Sequence, residues 1–62
     1  MEYSYKEGDR YKIFNPDLDE HNKMFTIMKV EKDNVYILFD GDVTIHRFQL
    51  GSAFENYIDS LD

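Results

Sequence analysis

The strongest constraint on the fold of this chain is a series of three short apolar runs separated by two tight polar connections. The runs span residues 24–30, 35–39 and 42–48, and they are rich in the β-branched and aromatic residues that favour strands. Residues 31–34 form the first connection. The dipeptide Asp40-Gly41 forms the second, a strong signal for a two-residue hairpin turn with positive φ at both positions. The pattern predicts three consecutive antiparallel strands.

A further strand is predicted before this series. Apolar and polar side chains alternate over residues 10–14, which is the period of a half-buried strand. Asn15-Pro16 ends it, because proline lacks the N–H that a sheet requires and restricts the residue before it. The stretch from Asn15 to Lys23 is therefore predicted to be a long loop between the first and second strands.

The C-terminal part of the chain changes its period from two residues to that of a helix. Four apolar side chains fall at i, i+3, i+4 and i+7 of one helical face: Phe54, Tyr57, Ile58 and Leu61. Ser52 and Glu55 have the spacing of a capping box. The sequence predicts a short helix over residues 53–61.

The predicted hairpin turn at Asp40-Gly41 assigns side chains to the two faces of the sheet. It pairs Leu38 with Val43 and Tyr36 with Ile45 on one face. The other face carries Val35, Ile37, Phe39, Thr44, His46 and Phe48. Both faces are largely apolar, so each needs a cover, supplied by barrel closure, the C-terminal helix, a second copy or a partner. The predicted core is Tyr11, Ile13, Phe25, Ile27, Val30, Tyr36, Leu38, Val43, Ile45, Phe54, Ile58 and Leu61.

Composition narrows the class of protein. The 62 residues include no cysteine, which excludes disulfides and thiolate metal sites, while 42% hydrophobic and 16% aromatic residues indicate a single folded domain over residues 1–62. No long apolar run or signal-peptide pattern is present, so we expect a cytoplasmic protein. The net charge of −6 disfavours direct binding to nucleic acid or to anionic membranes and favours basic partners, or it serves solubility alone.

The order of these elements resembles that of SH3-like small β-barrels. The matching parts are "GDRYKIFNPDLDEHNK", "MFTIMKV", "EKDN", "VYILF", "DG", "DVTIHRF" and the tail. The resemblance implies a mostly β barrel of about five antiparallel strands with a short C-terminal helix, and it places the long loop beside a ligand groove. The chain lacks the Ala-Leu-Tyr-Asp-Tyr motif and tryptophan pair of peptide-binding SH3 domains, so proline-rich ligands are not implied. Its small size, acidity and tyrosine content also resemble those of bacteriophage accessory proteins.

The long loop is the first candidate functional segment. A calcium loop starting at Asp17 would need a glycine where Asn22 stands and a glutamate where Met28 stands, so this metal site is excluded. As a partner-binding loop, it would offer a negative rim of Asp17, Asp19 and Glu20, with Leu18 as an apolar anchor. A purely solvated connection remains the alternative.

Tyrosines and a few polar residues complete the candidates. Tyr3 and Tyr5 combine apolar area with a polar tip, which suits a protein interface, or they pack on their own chain as an edge segment. His46, Arg47 and Tyr36 are candidates for binding a small anionic ligand. No glycine-rich phosphate loop or nucleophile motif is present. We therefore expect no catalytic residues, no cofactor and no metal.

These observations predict a non-catalytic protein-binding module. The favoured form is a small phage or mobile-element inhibitor or adaptor that occludes a basic or apolar patch on a host protein. One alternative is a homo-oligomeric sponge for an anionic nucleotide. A second is an acidic mimic of DNA.

Overall fold

The computed structural model describes residues 5–61 and forms one open sheet of five antiparallel strands. The strands are β1 (Arg10–Ile13), β2 (Met24–Glu31), β3 (Asn34–Phe39), β4 (Ile45–Gln49) and β5 (Ile58–Ser60), and a 3₁₀ turn (Ala53–Tyr57) precedes β5. Their order across the sheet is β4-β3-β2-β1-β5, so β4 and β5 are its two edges. The prediction of a mostly β, antiparallel protein is confirmed. Candidate residue Tyr3 lies outside the described residues.

The core lies on one side of the sheet, which we call the inner face. Its buried apolar side chains come from four strands: Ile13, Phe25, Ile27, Val35, Ile37 and Phe48. Phe54 and Tyr57 of the 3₁₀ turn and Tyr5 of the N-terminal segment pack against them. Burial of these apolar groups is the main stabilising contribution in a chain this short.

Phe25 is the centre of an aromatic cluster in this core. Its ring is 0% exposed and lies 5.9 Å from the ring of Tyr11, 5.7 Å from that of Phe39 and 6.0 Å from that of Phe54. These distances are within the range of favourable aromatic pairs. The cluster joins the first three strands to the 3₁₀ turn.

A bulge in β2 changes its register against β3. Ile27 pairs with Ile37, but the next pair is Lys29 with Tyr36, so Met28 and Lys29 together oppose Tyr36. A bulge of this kind bends the strand and increases its twist. The residues N-terminal to β1 also meet β2 here, because Gly8 N–H donates to the Ile27 carbonyl and Ile27 N–H donates to the Asp9 carbonyl, both at 2.8 Å.

The predicted hairpin register between β3 and β4 is wrong by two residues. Leu38 pairs with Ile45, and β4 begins at Ile45 where the prediction had residue 42. Only Gly41 of the turn dipeptide has positive φ, so the predicted turn type is also wrong. The cause is Asp42, whose carboxylate accepts from Val43 N–H at 2.7 Å and from Thr44 N–H at 3.2 Å, drawing both amides into the loop.

The predicted core used the wrong face of this hairpin. Val43 is 93% exposed and Ile45 50% exposed, whereas Val35 and Ile37 are buried. Tyr36 and Leu38 lie with Ile45 on the opposite side of the sheet, which we call the outer face. Two further predicted core residues, Val30 and Leu61, are also exposed. Tyr11, Ile13, Phe25, Ile27, Phe54 and Ile58 do belong to the core or pack on it.

The predicted helix over residues 53–61 is also wrong. The chain makes the 3₁₀ turn and then enters β5, which pairs antiparallel with β1. Phe14 N–H donates to the Tyr57 carbonyl at 2.5 Å, and Leu61 N–H donates to the Arg10 carbonyl at 3.0 Å, so the backbone groups of this segment serve the sheet. Phe54 and Tyr57, three residues apart, share a face of a 3₁₀ turn as readily as a face of an α-helix.

Within residues 5–61, no helix has the length and apolar character needed to cross a membrane.

Candidate functional site

A groove opens on the inner face beside the edge strand β4, with a volume of about 390 Å³. Its floor and walls are mostly apolar: Ile13, Leu18, Ile37, Phe39, Phe48 and Phe54. Its polar lining comes from Glu20 on the loop side and from His46 and Arg47 on the β4 side. The groove therefore lies between the long loop and β4.

The loop from Asn15 to Lys23 is held by its own hydrogen bonds. The side chain of Asn15 accepts from Asp17 N–H at 3.0 Å, and the carbonyl of Asn15 accepts from Leu18 N–H at 3.0 Å. Asparagine commonly starts turns in this way, since its side chain replaces a backbone acceptor. Asn22 N–H donates to the Ile13 carbonyl at 2.8 Å, which returns the chain to the sheet. The loop is thus a folded element with a defined position at the groove.

His21 stabilises the conformation of the loop through one hydrogen bond and one ring contact. Its Nδ1 accepts from the backbone N–H of Asn15 at 3.0 Å, and its ring meets the ring of Phe14 edge-on at a centroid distance of 5.1 Å. Acceptance of this hydrogen bond requires an unprotonated Nδ1. His21 is therefore a structural residue of the loop.

The three predicted carboxylates of the loop point to solvent. Asp17, Asp19 and Glu20 are exposed, and none of them forms an ion pair with a residue in the described part of the chain. Leu18 is 37% exposed and lines the groove. The loop thus presents Leu18 and Glu20 to the groove, and the exposed Asp17 and Asp19 flank Leu18 in the sequence, so the loop side of the groove has a negative rim.

The outer edge of β4 carries unused backbone groups beside the groove. Leu50 N–H donates to the Asp33 carbonyl at 2.8 Å, so residues 33 and 50 form a hydrogen-bonded pair. Such pairs alternate along an antiparallel ladder, so the backbone groups of His46 and Phe48 face β3. Those of Ile45 and Arg47 face away from the sheet. In residues 5–61 they meet no other strand, because β4 is an edge.

The sequence grouped His46, Arg47 and Tyr36 as candidate ligand-binding residues. The structure places His46 and Arg47 at the groove, although Arg47 pairs with Tyr36 across the sheet and so starts from the outer face. Tyr36 lies on that outer face, with its ring 6.0 Å from Lys29 Nζ. Within one chain, Tyr36 and His46 are therefore on opposite sides of the sheet.

His46 is positioned by two neighbours. Its ring meets Phe39 edge-on at 5.2 Å, and its Nε2 lies 3.5 Å from the carboxylate of Asp42. The backbone N–H groups of Val43 and Thr44 lower the pKa of Asp42 below its ordinary value of 3.8, and His46 adds a smaller effect in the same direction. The carboxylate therefore stays charged and orients the imidazole at the groove.

Tyr5 packs over the core and connects the N-terminal segment to the 3₁₀ turn, a contact that we call the Tyr5 strap. Its hydroxyl donates to Glu55 Oε2 at 2.7 Å, and its ring lies 5.4 Å from that of Tyr11 and 5.7 Å from that of Phe48. Glu55 also accepts from Gly51 N–H, so one carboxylate joins the N-terminal segment to the 3₁₀ turn. Tyr5 therefore packs on its own chain, the second of the two roles considered for it.

The aromatic floor of the groove and the free edge of β4 were not predicted from the sequence. The sequence identified the three phenylalanines of the floor as apolar, but it assigned only Phe39 and Phe48 to a shared face and did not place Phe54 with them. The alternation of Val35, Ile37 and Phe39 was the signal that could have identified this face as the inner one. Within the described residues, no group of three or more histidine, cysteine, aspartate or glutamate residues is arranged to hold a metal ion.

Comparison with protein-family models, with curated proteins and with solved structures found no match to this chain.

Proposed function

We propose that this chain is a non-catalytic protein-binding module that captures an extended segment of another protein in the groove between the loop and β4. The observation that carries the proposal is the combination of an apolar groove of about 390 Å³ with a negative rim and a free strand edge. Each of these parts favours a different feature of the ligand.

The groove favours an apolar side chain. Its lining is dominated by Phe39, Phe48 and Phe54, which offer large ring surfaces for contact. An isoleucine, leucine or aromatic anchor inserted there would be removed from water on most sides, which is how a few central residues supply most of the energy of an interface.

The negative rim on the loop side of the groove favours a basic residue next to that anchor. Glu20 lines the groove and Asp17 and Asp19 are exposed in the same loop, so a basic residue of the ligand would meet them on approach. Charges at the edge of an interface mainly raise the association rate and select the partner, and they contribute less to affinity.

The edge favours an extended backbone. The N–H and C=O groups of Ile45 and Arg47 can pair with a new strand laid along β4, as in recognition by β-strand addition. Alternate side chains of such a strand would point to the inner side, directly over the groove. The resulting complex would mask the bound segment, which is the occlusion expected of a small inhibitor or adaptor.

We also propose that the fold is an SH3-like small barrel. We further propose that the protein is an inhibitor or adaptor of the kind encoded by phages and other mobile elements, acting in the host cytoplasm. The first part is supported by the long loop, the meander β2-β3-β4 and the short 3₁₀ turn after β4. The second rests on small size, a net charge of −6 and a tyrosine-rich composition.

A displayed library of random linear peptides tests the proposed specificity. We expect selection of peptides with one large apolar residue flanked by lysine or arginine. Replacing Asp17, Asp19 and Glu20 together by lysine should weaken the selected peptides at low salt, and added salt should reduce the difference. A matched control replaces Glu7, Asp33 and Asp59 by lysine, which changes the net charge equally away from the groove. Failure to enrich any such peptide, or equal losses in both variants, would contradict the proposal.

A further inference from the structure

The loop from Asn15 to Lys23 is closed by a hydrogen bond to a histidine ring. The backbone N–H of Asn15 donates to Nδ1 of His21 at 3.0 Å, six positions further along the chain. Leu18 lies midway between these two residues, and both Leu18 and Glu20 line the groove. The loop side of the groove is therefore held in part by a side chain that can take up a proton.

Nδ1 of His21 can accept this hydrogen bond only while it carries no proton. A neutral imidazole has one N–H donor and one acceptor nitrogen, whereas the protonated ring has an N–H on both nitrogens. Protonation would therefore turn two N–H groups toward each other and leave the Asn15 N–H without an acceptor. Histidine is the side chain that ordinarily changes charge between about pH 5 and pH 8. His21 is partly exposed, so solvent can deliver the proton.

The groups around His21 provide no substitute for the lost hydrogen bond. Its ring packs on Phe14, which carries no charge. The charged and titratable side chains on the loop, and on the strands and turn that meet it, are Asp17, Asp19, Glu20, Lys23, Lys12, Tyr57 and Asp59. Within residues 5–61, no carboxylate oxygen lies within 4 Å of a ring nitrogen of His21. A proton on Nδ1 therefore gains no close counter-ion in the closed loop.

We propose that the loop is a pH-sensitive element of the groove, in which protonation of His21 breaks the bond to Asn15 and opens residues 15–21. The closed loop excludes a proton from Nδ1, whereas the open loop leaves both ring nitrogens free. The open form therefore binds more protons, and its population rises as the pH falls. Asn22, next to His21, has φ 71, in the left-handed region that residues other than glycine adopt at a cost. The hydrogen bonds of the closed loop compensate for this cost, so the loss of one favours opening.

Opening of the loop would change the groove itself. Leu18 supplies an apolar side chain and Glu20 a negative charge on the loop side, and both would move away from the groove with the open segment. One consequence rests on the proposed function: a segment captured in the groove would be released as the pH falls. The opening of the loop does not depend on any ligand, so it can be tested in the free chain.

NMR of the labelled free chain between about pH 7.5 and about pH 5.5 tests the opening of the loop, in a range where histidines titrate and most carboxylates stay charged. We expect the protection factor of the Asn15 N–H against exchange to fall about fivefold or more. The amide signals of Leu18 and Glu20 should shift with the same midpoint as the His21 ring. Far-ultraviolet circular dichroism over the same range should show an unchanged sheet.

Substitution of each of the two histidines separates the role of His21 from a general effect of pH. His21→Asn keeps an acceptor, since the side-chain oxygen can take the place of Nδ1, but it does not titrate, so protection at Asn15 should become independent of pH. His21→Phe removes the acceptor and should give low protection at both pH values. His46→Asn is the matched control, because His46 contacts Phe39 and Asp42 outside the loop, and it should keep the response of the unchanged chain.

Three results would overturn the proposal. One is unchanged protection of Asn15 while the His21 ring titrates. A second is an equal loss of protection at Ile27 and Ile37, which would indicate unfolding of the sheet. A third is a response that persists in His21→Asn and disappears in His46→Asn. The affinity of a library-selected peptide tests the proposed function separately: a chain whose loop opens at low pH but that selects no peptide supports the pH-sensitive loop and contradicts the binding role.

Discussion

Replacement of one valine in β3 and one in the turn that follows it tests directly which of the two belongs to the core. Val35 is 0% exposed and Val43 is 93% exposed, so the same change to alanine should have very different effects. Removal of two methyl groups from a buried site costs ~0.8 kcal/mol each for lost burial, and a residual cavity raises the total to about 2 kcal/mol. The exposed site should change stability by less than ~0.5 kcal/mol.

These changes are measurable in a chain of this size. A domain of 62 residues is expected to have an unfolding free energy of roughly 3–9 kcal/mol, so the Val35→Ala protein still folds. Its thermal midpoint should fall by about 8–16 °C. Urea unfolding followed by far-ultraviolet circular dichroism, at concentrations where the chain is monomeric, gives both free energies. Equal losses for the two variants, or a larger loss for Val43→Ala, would refute the assignment of the inner face.

Three smaller predictions concern the hydrogen bonds that shape the loops and the N-terminal strap. Because the folded-state pKa of Asp42 is lowered from 3.8, its carboxylate stabilises the fold above that pH, and this contribution is lost as the pH falls through the lowered value. Asp42→Asn should therefore lose less stability than the original chain between about pH 6 and about pH 3 in urea titrations; an identical pH dependence would contradict the carboxylate's role. His21→Phe keeps a ring beside the loop but leaves the Asn15 N–H without an acceptor, so it should cost about 1–2 kcal/mol and speed amide exchange at Asn15. Unchanged exchange there would show that the loop does not depend on His21. Tyr5→Phe removes the bond to Glu55 while keeping the ring contacts, and should cost about 1 kcal/mol in urea unfolding; no change would mean that the ring alone holds the strap.

The strands were predictable because each carries its own local signals. β-branched and aromatic runs set their positions, and Asn15-Pro16 and Gly41 marked their ends. The predicted first, second and third strands end within one residue of the observed ones. The fourth began too early, because nothing in the local pattern shows that the Asp42 side chain will take two backbone amides.

The choice of core face could not be made from the hairpin alone. Both of its faces are apolar, and a register error of two residues leaves every side chain on its original face, so the period of two gives no preference. The decision comes from contacts distant in sequence. Phe25 and Ile27 of β2 lie opposite Phe39 and Ile37, and the Phe54 ring packs over the same side.

The C-terminal segment shows how tertiary pairing overrides a local pattern. Its helical spacing was real, but β1 would otherwise have an unpaired edge, and Ile58 pairs directly with Ile13. The predicted capping box does not form, because Ser52 makes no side-chain cap and Glu55 accepts from the Gly51 N–H instead of the Ser52 N–H. The local signal therefore found the start of a turn and overestimated its length.

Only part of the candidate site could be predicted from the sequence. The acidic loop and its position after the first strand followed from sequence, and Leu18, Glu20, His46 and Arg47 do meet at one groove. The aromatic floor required knowledge of which face is inside. The free backbone groups of Ile45 and Arg47 required the strand order, which no local pattern contains.

The most direct test of the proposed binding mode is an NMR titration of the labelled chain with a peptide recovered from the displayed library. We expect the largest amide shifts at Leu18, Glu20 and along β4, together with slower amide exchange at Ile45 and Arg47 as a new strand pairs with them. Shifts confined to Tyr36, Leu38 and the rest of the outer face, with unchanged exchange at Ile45 and Arg47, would contradict the account.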